Sequence, residues 1–314
     1  RVGFAATMPN MLVAVVGLLF SSVGAVTLEW ADLNCTFGSR QVLHGVSGAA
    51  SSGRLLAIMG PSGSGKTTLL NALAGQVKYS KKASLSGTLL VDAVPAGGAA
   101  MAPGVRQAYV RQEDIFYTQM TVRETLMFAA RLRLPSNVSL EEKREVVDSL
   151  LKKLSLVKAA DTIVGDAKRR GISGGERKRL SIGCELIGSP NLLFLDEPTS
   201  GLDAFQAQQV VSLLKQLAVE GTAVVAVIHQ PRGTSFKMFD DLLLLSEGQL
   251  MYTGEAARAA AHFGRLGHRC PAGISEAEHV VDLVSADYSS SDALAASLAR
   301  IAGFATAAAQ SAAA

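Results

Sequence analysis

Three features of this 314-residue chain point to an α/β fold: a glycine-rich loop between a short apolar run and a helix-prone stretch, a second apolar run ending in two carboxylates, and helix-start signals clustered between them. The runs Leu55–Met59, 191–195 and 222–228 are apolar almost throughout. Strands of a parallel sheet covered on both faces read this way. The expected architecture is a mostly parallel core sheet, an antiparallel amino-terminal subsheet and a helical subdomain.

The elements follow in chain order. Residues 26–33 alternate loosely and, with 87–94, suggest the antiparallel subsheet. After Leu55–Met59 come the loop and a helix over 67–74. Beyond Gln112 the pattern turns helical: Thr121 with Glu124 is a capping-box spacing opening Val122–Arg133, and Pro135 lies just past its end. Ser139 with Glu142 repeats the device before a helix whose Val146, Val147, Leu150, Leu151 and Leu154 form one apolar stripe. Ser173 with Glu176 opens a third helix, closed by Gly188 and Pro190.

The chemistry is concentrated at four places. Gly60, Pro61, Ser62, Gly63, Ser64, Gly65, Lys66 and Thr67, followed by Thr68, fit the pattern G-x-x-x-x-G-K-[ST] in its required strand, loop and helix order. The glycines let consecutive N–H groups turn inward as an anion nest, Lys66 reaches the β- and γ-phosphates, and the Thr67 hydroxyl is placed for Mg²⁺. A nucleoside triphosphate is implied. Asp196 and Glu197 stand at the carboxyl end of a buried strand, where open α/β sheets bind ligands. Asp196 would hold Mg²⁺, and Glu197 could polarise the attacking water. Gly174 and Gly175, behind the Ser173 cap, leave a bare helix amino end that attracts anions. A second anion site makes sense if Ser173 to Glu176 close over the nucleotide held by another copy.

Lys66, Gln112, Ser173 to Glu176, Asp196 with Glu197, Asp203 and His229 occur in the order used by ATP-binding-cassette (ABC) ATPases, which the chain resembles over residues 26–291. Met120 to Leu126, His229-Gln230-Pro231-Arg232 and the closing Ala286 to Ser291 resemble the G family, or White-Brown complex, of half-transporters. The resemblance implies a P-loop NTPase cassette that binds ATP and Mg²⁺ and couples hydrolysis to moving a lipophilic molecule, paired with a second half-transporter. It implies that Gln112 senses Mg²⁺ and the γ-phosphate, that Asp203 lies at the dimer interface, and that His229 contacts the γ-phosphate. It also implies that the first helix after Gln112 faces a transmembrane partner. The resemblance further implies an adenine-stacking aromatic, for which Phe37, preferred, and Trp30 are the candidates, and either could equally pack in the sheet. A soluble ABC ATPase acting on ribosomes or DNA is the alternative; the single cassette and the mere 61 positions from Gln112 to Ser173 disfavour it. A GTP switch lacks a guanine-reading element and cannot explain the signature.

Composition agrees. With 48% hydrophobic residues a real core is expected, and 30 basic against 27 acidic residues give no sign of nucleic acid. Lys168 to Arg170 and Arg177 to Arg179 serve nucleotide approach or form a solvated face. Cys35, Cys184 and Cys270 lack metal-ligand spacing and read as reduced thiols, and His262, His268 and His279 as surface residues. Residues 1–25 are a hydrophobic segment that reads as an anchor, a targeting remnant or a buried helix. Residues 26–285 form the cassette, with the helical subdomain at about 113–188. Residues 286–314 are expected to be an Ala-rich linker towards a transmembrane domain absent from the chain. The expected location is a membrane, with the ATPase on its cytosolic or stromal side; a plastid would rest on plant-like resemblance alone.

Overall fold

The computed structural model describes residues 25–77, 83–92, 94–95, 104–166 and 168–313. The expected hydrophobic segment 1–25 lies outside the described residues but for its last position. Two compact units result: a core unit, Ala25–Glu113 with Asn191–Ala314, and a helical unit, Asp114–Pro190.

In the core unit, β1 (Thr27–Phe37), β2 (Arg40–Ser51), β4 (Ala83–Val91) and β5 (Val94–Pro95) form an antiparallel sheet in the order β2-β1-β4-β5. Leu28 pairs with Val91 and Trp30 with Leu89, so the alternation read from the sequence sets one face of β1 inward. The second sheet has the order β10-β9-β3-β8-β7-β6, built from β3 (Leu55–Met59), β6 (Gln107–Val110), β7 (Leu192–Asp196), β8 (Ala223–Val227), β9 (Asp241–Ser246) and β10 (Gln249–Glu255). All its pairs are parallel except β9 with β10. β3, β7 and β8 are buried at every residue. That is why their sequences are uniformly apolar. Leu28, Trp30, Leu43, Ile58, Leu69, Leu73, Phe194 and Leu243 share one core cluster with both sheets and helix α1 (Lys66–Leu73). Each buried Leu or Phe there contributes roughly 1.5–3 kcal/mol.

The helical unit holds α2 (Val122–Arg133), α3 (Leu140–Lys153) and α4 (Gly174–Leu186). All three expected capping boxes are formed, at Thr121/Glu124, Ser139/Glu142 and Ser173/Glu176. The stripe Val146, Val147, Leu150, Leu151 and Leu154 is buried together with Leu126 and Leu180.

The core unit continues through α5 (Ala204–Val219), α6 (Gly233–Phe236), α7 (Ala259–Arg265), α8 (Glu276–Leu283) and α9 (Ser291–Ala313). Residues 291–313, expected as an Ala-rich, helix-prone linker, form a helix. Ser297, Ile301, Phe304 and Ala308 are buried and recur every three or four positions, so a narrow stripe docks the helix. The Phe304 ring meets Phe263 edge-on at 4.9 Å, and Arg300 donates to the Leu283 and Ser285 carbonyls. None of the three histidines expected at the surface is fully exposed, and His268 packs edge-on against Phe304 at 5.1 Å. His279 is buried with its Nε2 3.2 Å from the His268 carbonyl, and half-buried His262 stacks near Tyr252.

Candidate functional site

The phosphate loop joins β3 to α1 by a path only glycine permits at its start. Gly60 has φ +145°, and a Cβ there would lie 2.0 Å from the Leu245 carbonyl oxygen. Gly65, at φ +96°, caps α1 with no side-chain acceptor, so the amino end of α1 stays open to an anion. Lys66 is 5% exposed, and its Nζ donates to the Pro61 carbonyl at 2.7 Å. Burial pushes its pKa down while Glu197 and Asp196 oppose that shift, so the ammonium sits in an electrostatically demanding place. The buried Ser64 hydroxyl has no partner. An incoming oxyanion would satisfy both groups.

The β7 terminus brings the carboxylates to this loop. Thr67 Oγ1 donates to Asp196 Oδ1 at 3.0 Å, and Gln112 Nε2 donates to Glu197 Oε2 at 3.0 Å. His229 Nε2, just past β8, lies 3.8 Å from Glu197 Oε1. Glu197 itself has φ +46°, in the left-handed region that a non-glycine residue rarely occupies. A hydroxyl beside a carboxylate is a hard-oxygen donor set suited to Mg²⁺. Among the described residues no cluster of three His, Cys, Asp or Glu suited to another metal exists.

Other expected residues make local contacts of their own. Asp203 caps α5, its Oδ1 accepting from Phe205 N and Gln206 N at 2.9 Å each. Phe37 is 45% exposed at the end of β1, free to meet a planar ligand, whereas Trp30 is 3% exposed in the core and drops out as the adenine platform. Ser173, Gly174, Gly175 and Glu176 belong to the helical unit, where the Ser173 hydroxyl accepts from Glu176 N at 3.3 Å. The cations after them correct the expectation of a solvated or nucleotide-steering face. Arg177 donates to the Val164 and Gly165 carbonyls, Lys178 to Asp114, and Arg179 to the Leu154 carbonyl.

One site residue was not assigned a role from the sequence. The Tyr109 hydroxyl donates to Asn71 Oδ1 at 2.8 Å, and burial, then the charge of Asp196, raises its pKa, keeping the phenol protonated beside that carboxylate. Its only sequence signal is a polar tip one strand away from Asp196, in β6 paired with β7.

A family model described as "ABC transporter" matches residues 43–200, half of the chain. The chain belongs to the ABC transporter family. Membership implies that this domain binds a nucleotide. ABC transporter G family member 7 of Arabidopsis thaliana is 52% identical over 89% of this chain and 39% of its own length. Member 13 of the same plant is 44% identical over 84% of this chain and 39% of its own length. Member STR of Medicago truncatula is 43% identical over 78% of this chain and 29% of its own length. This ABC transporter chain thus spans 29–39% of the length of these relatives. The solved structure of MJ1267 in its ADP conformation, an ATP-binding cassette of an ABC transporter, has a TM-score of 0.62, covering 77% of this chain and 97% of that one at 23% identity. The fold is therefore that of an ABC cassette.

A second model, "ABC-2 type transporter", matches residues 229–299. It corrects the expectation that sequence of the membrane-domain type is absent from this chain. Among the described residues no helix is long and apolar enough to cross a membrane.

Proposed function

We propose that this chain is the ATP-binding and ATP-hydrolysing part of a G-family half-transporter, powering movement of a lipophilic molecule across a membrane as a dimer with a second half-transporter. The observation that carries the reading is the 3.0 Å hydrogen bond from Thr67 to Asp196, which sets a carboxylate against the phosphate loop, with Glu197 held beside it by Gln112 at 3.0 Å and by charge near Lys66. Lys66 would exchange the Pro61 carbonyl for a phosphate oxygen, and Ser64 and the N–H groups of Gly63 to Thr68 would bind the rest of the chain of phosphates. Thr67 and Asp196 would hold Mg²⁺, with Gln112 nearby; when bound, that ion neutralises charge on the triphosphate. Glu197 would take the proton of the attacking water, held between the Gln112 amide and His229, which would face the γ-phosphate. Phe37 would stack on adenine.

The residues Ser173 to Glu176 would close on a nucleotide held by the partner copy, with Asp203 at that interface. The relatives' names as G-family transporters support a membrane location for the assembled protein; its cassette would lie on the cytosolic or stromal side, and a plastid would be one such membrane. Glu197→Gln should retain ATP affinity and lower phosphate release by about 10²-fold or more. Undiminished turnover in that variant would remove Glu197 from its role.

A further inference from the structure

Helix α1 carries Lys66 at its first position, and its Leu69, Leu70 and Leu73 sink into the core cluster. Such packing is non-directional, so by itself it does not fix how far the helix slides or turns over the sheet. Polar contacts do. Thr67, Asn71 and Ala74 recur every three or four positions and so share one face of α1. That face is bonded to β7 and β6, the last two strands of the parallel sheet. Thr67 Oγ1 donates to Asp196 Oδ1 at 3.0 Å, the Tyr109 hydroxyl to Asn71 Oδ1 at 2.8 Å, and Gln107 Nε2 to the Ala74 carbonyl at 3.3 Å. The strands match in register. Tyr109 pairs with Phe194, and Gln107 and Asp196 each lie two residues away from these, on the same faces.

The middle rung stands close to the chemistry. Asn71 is one helical turn past Thr67, and Asp196 lies near enough to Tyr109 to act on its phenol. We propose that the hydrogen bond from Tyr109 to Asn71 is a positioning contact, which holds α1 at the height over β6 and β7 where Thr67 and Asp196 can share one Mg²⁺. The demand comes from the ion. Mg²⁺ takes oxygen donors in a near-ideal octahedral arrangement and tolerates little displacement of any of them. Thr67 is borne by a helix and Asp196 by a strand, so their spacing is only as well defined as the seating of α1 on the sheet. Phenylalanine at position 109 would pack against the core cluster as the tyrosine ring does. What tyrosine adds is the hydroxyl that reaches Asn71.

The inference rests on the functional reading above, and its test separates the two. Trinitrophenyl-ATP fluorescence gives the dissociation constant of the probe in EDTA and again in excess Mg²⁺; their ratio is the affinity gained from the metal. In the unaltered chain that gain should be about tenfold or more. Tyr109→Phe should bind the metal-free probe within about twofold of the unaltered chain yet lose about fivefold of the gain, as removal of one hydrogen bond implies. Asn71→Leu should lose as much, and the two changes together no more than either alone, because both remove the same contact. A merely structural contact would lower the urea midpoint of these variants and leave the gain intact, and that result would overturn the positioning role. So would an equal weakening of probe binding with and without Mg²⁺, or additive losses in the double variant. An unaltered chain that binds the probe but gains nothing from Mg²⁺ would overturn the inference together with the assignment of Thr67 and Asp196 to the metal, and leave nucleotide binding standing. Failure of the unaltered chain to bind the probe at all would overturn the functional reading and with it the inference.

Discussion

Gly60 is fixed by two independent constraints, its φ of +145° and the Leu245 carbonyl 2.0 Å from where a Cβ would sit. Gly60→Ala should therefore cost about 3 kcal/mol or more, because the collision is with backbone that cannot rotate away. Urea denaturation would register it as a lowered midpoint at unchanged slope; a midpoint within error of the parent would mean the loop relaxes more easily than this packing suggests. Such side-chain and backbone demands were partly legible in advance. Lys66, Thr67, Asp196, Glu197, Gln112 and His229 could be read because their chemistry demands particular residue types at fixed places along strand ends, and the fold brings them together. Tyr109 and Lys178 could not. Their importance comes from what lies across the sheet or beneath the helix, and neither periodicity nor spacing encodes a neighbour from elsewhere in the chain.

Helix α9 illustrates the same division among secondary-structure elements. Capping boxes announced α2, α3 and α4, since Ser or Thr three residues ahead of Glu is a local signal complete within one turn. α9 carries the small residues of a linker, and its buried stripe of Ser297, Ile301, Phe304 and Ala308 is too sparse to stand out from the alanines around it. Alanine favours the helix by propensity, and contact with Phe263 docks it. Phe304→Ala should thus remove roughly 3 kcal/mol of docking energy, and α9 should open locally before the remainder unfolds. Limited proteolysis would show this as early cleavage within residues 291–313 with trinitrophenyl-ATP binding intact. Protection equal to that of the parent chain would refute the anchoring role of the ring.

The chain divides into two compact units, and each contains a shielded thiol, Cys35 buried and Cys184 partly buried. Cys35 is fully buried in the core unit, where desolvation raises its pKa; in the helical unit Cys184 is pushed up to about 12, again chiefly by burial. At pH 8 the thiolate of Cys184 is scarce, so alkylation should be roughly a thousandfold slower than for an ordinary cysteine. Cys270, half-exposed, should react first. With rising urea, Cys184 should become alkylated at a lower concentration than Cys35, because the helical unit is smaller and buries a smaller core. Peptide mass spectrometry after iodoacetamide pulses distinguishes the two. Simultaneous exposure would show that the units unfold as one.

The left-handed torsion of Glu197 has an implication for how such a chain settles into its fold. Its carbonyl accepts from Ser200 N at 3.1 Å, closing the turn that keeps the residue in this region. Glycine or asparagine would occupy that conformation with less strain, by about 1 kcal/mol. A sequence tuned only for durability would carry one of them there. Retaining an acid means that a share of the folding free energy is diverted into aiming one carboxylate, and the main chain, not the rotamer, sets the direction in which it points.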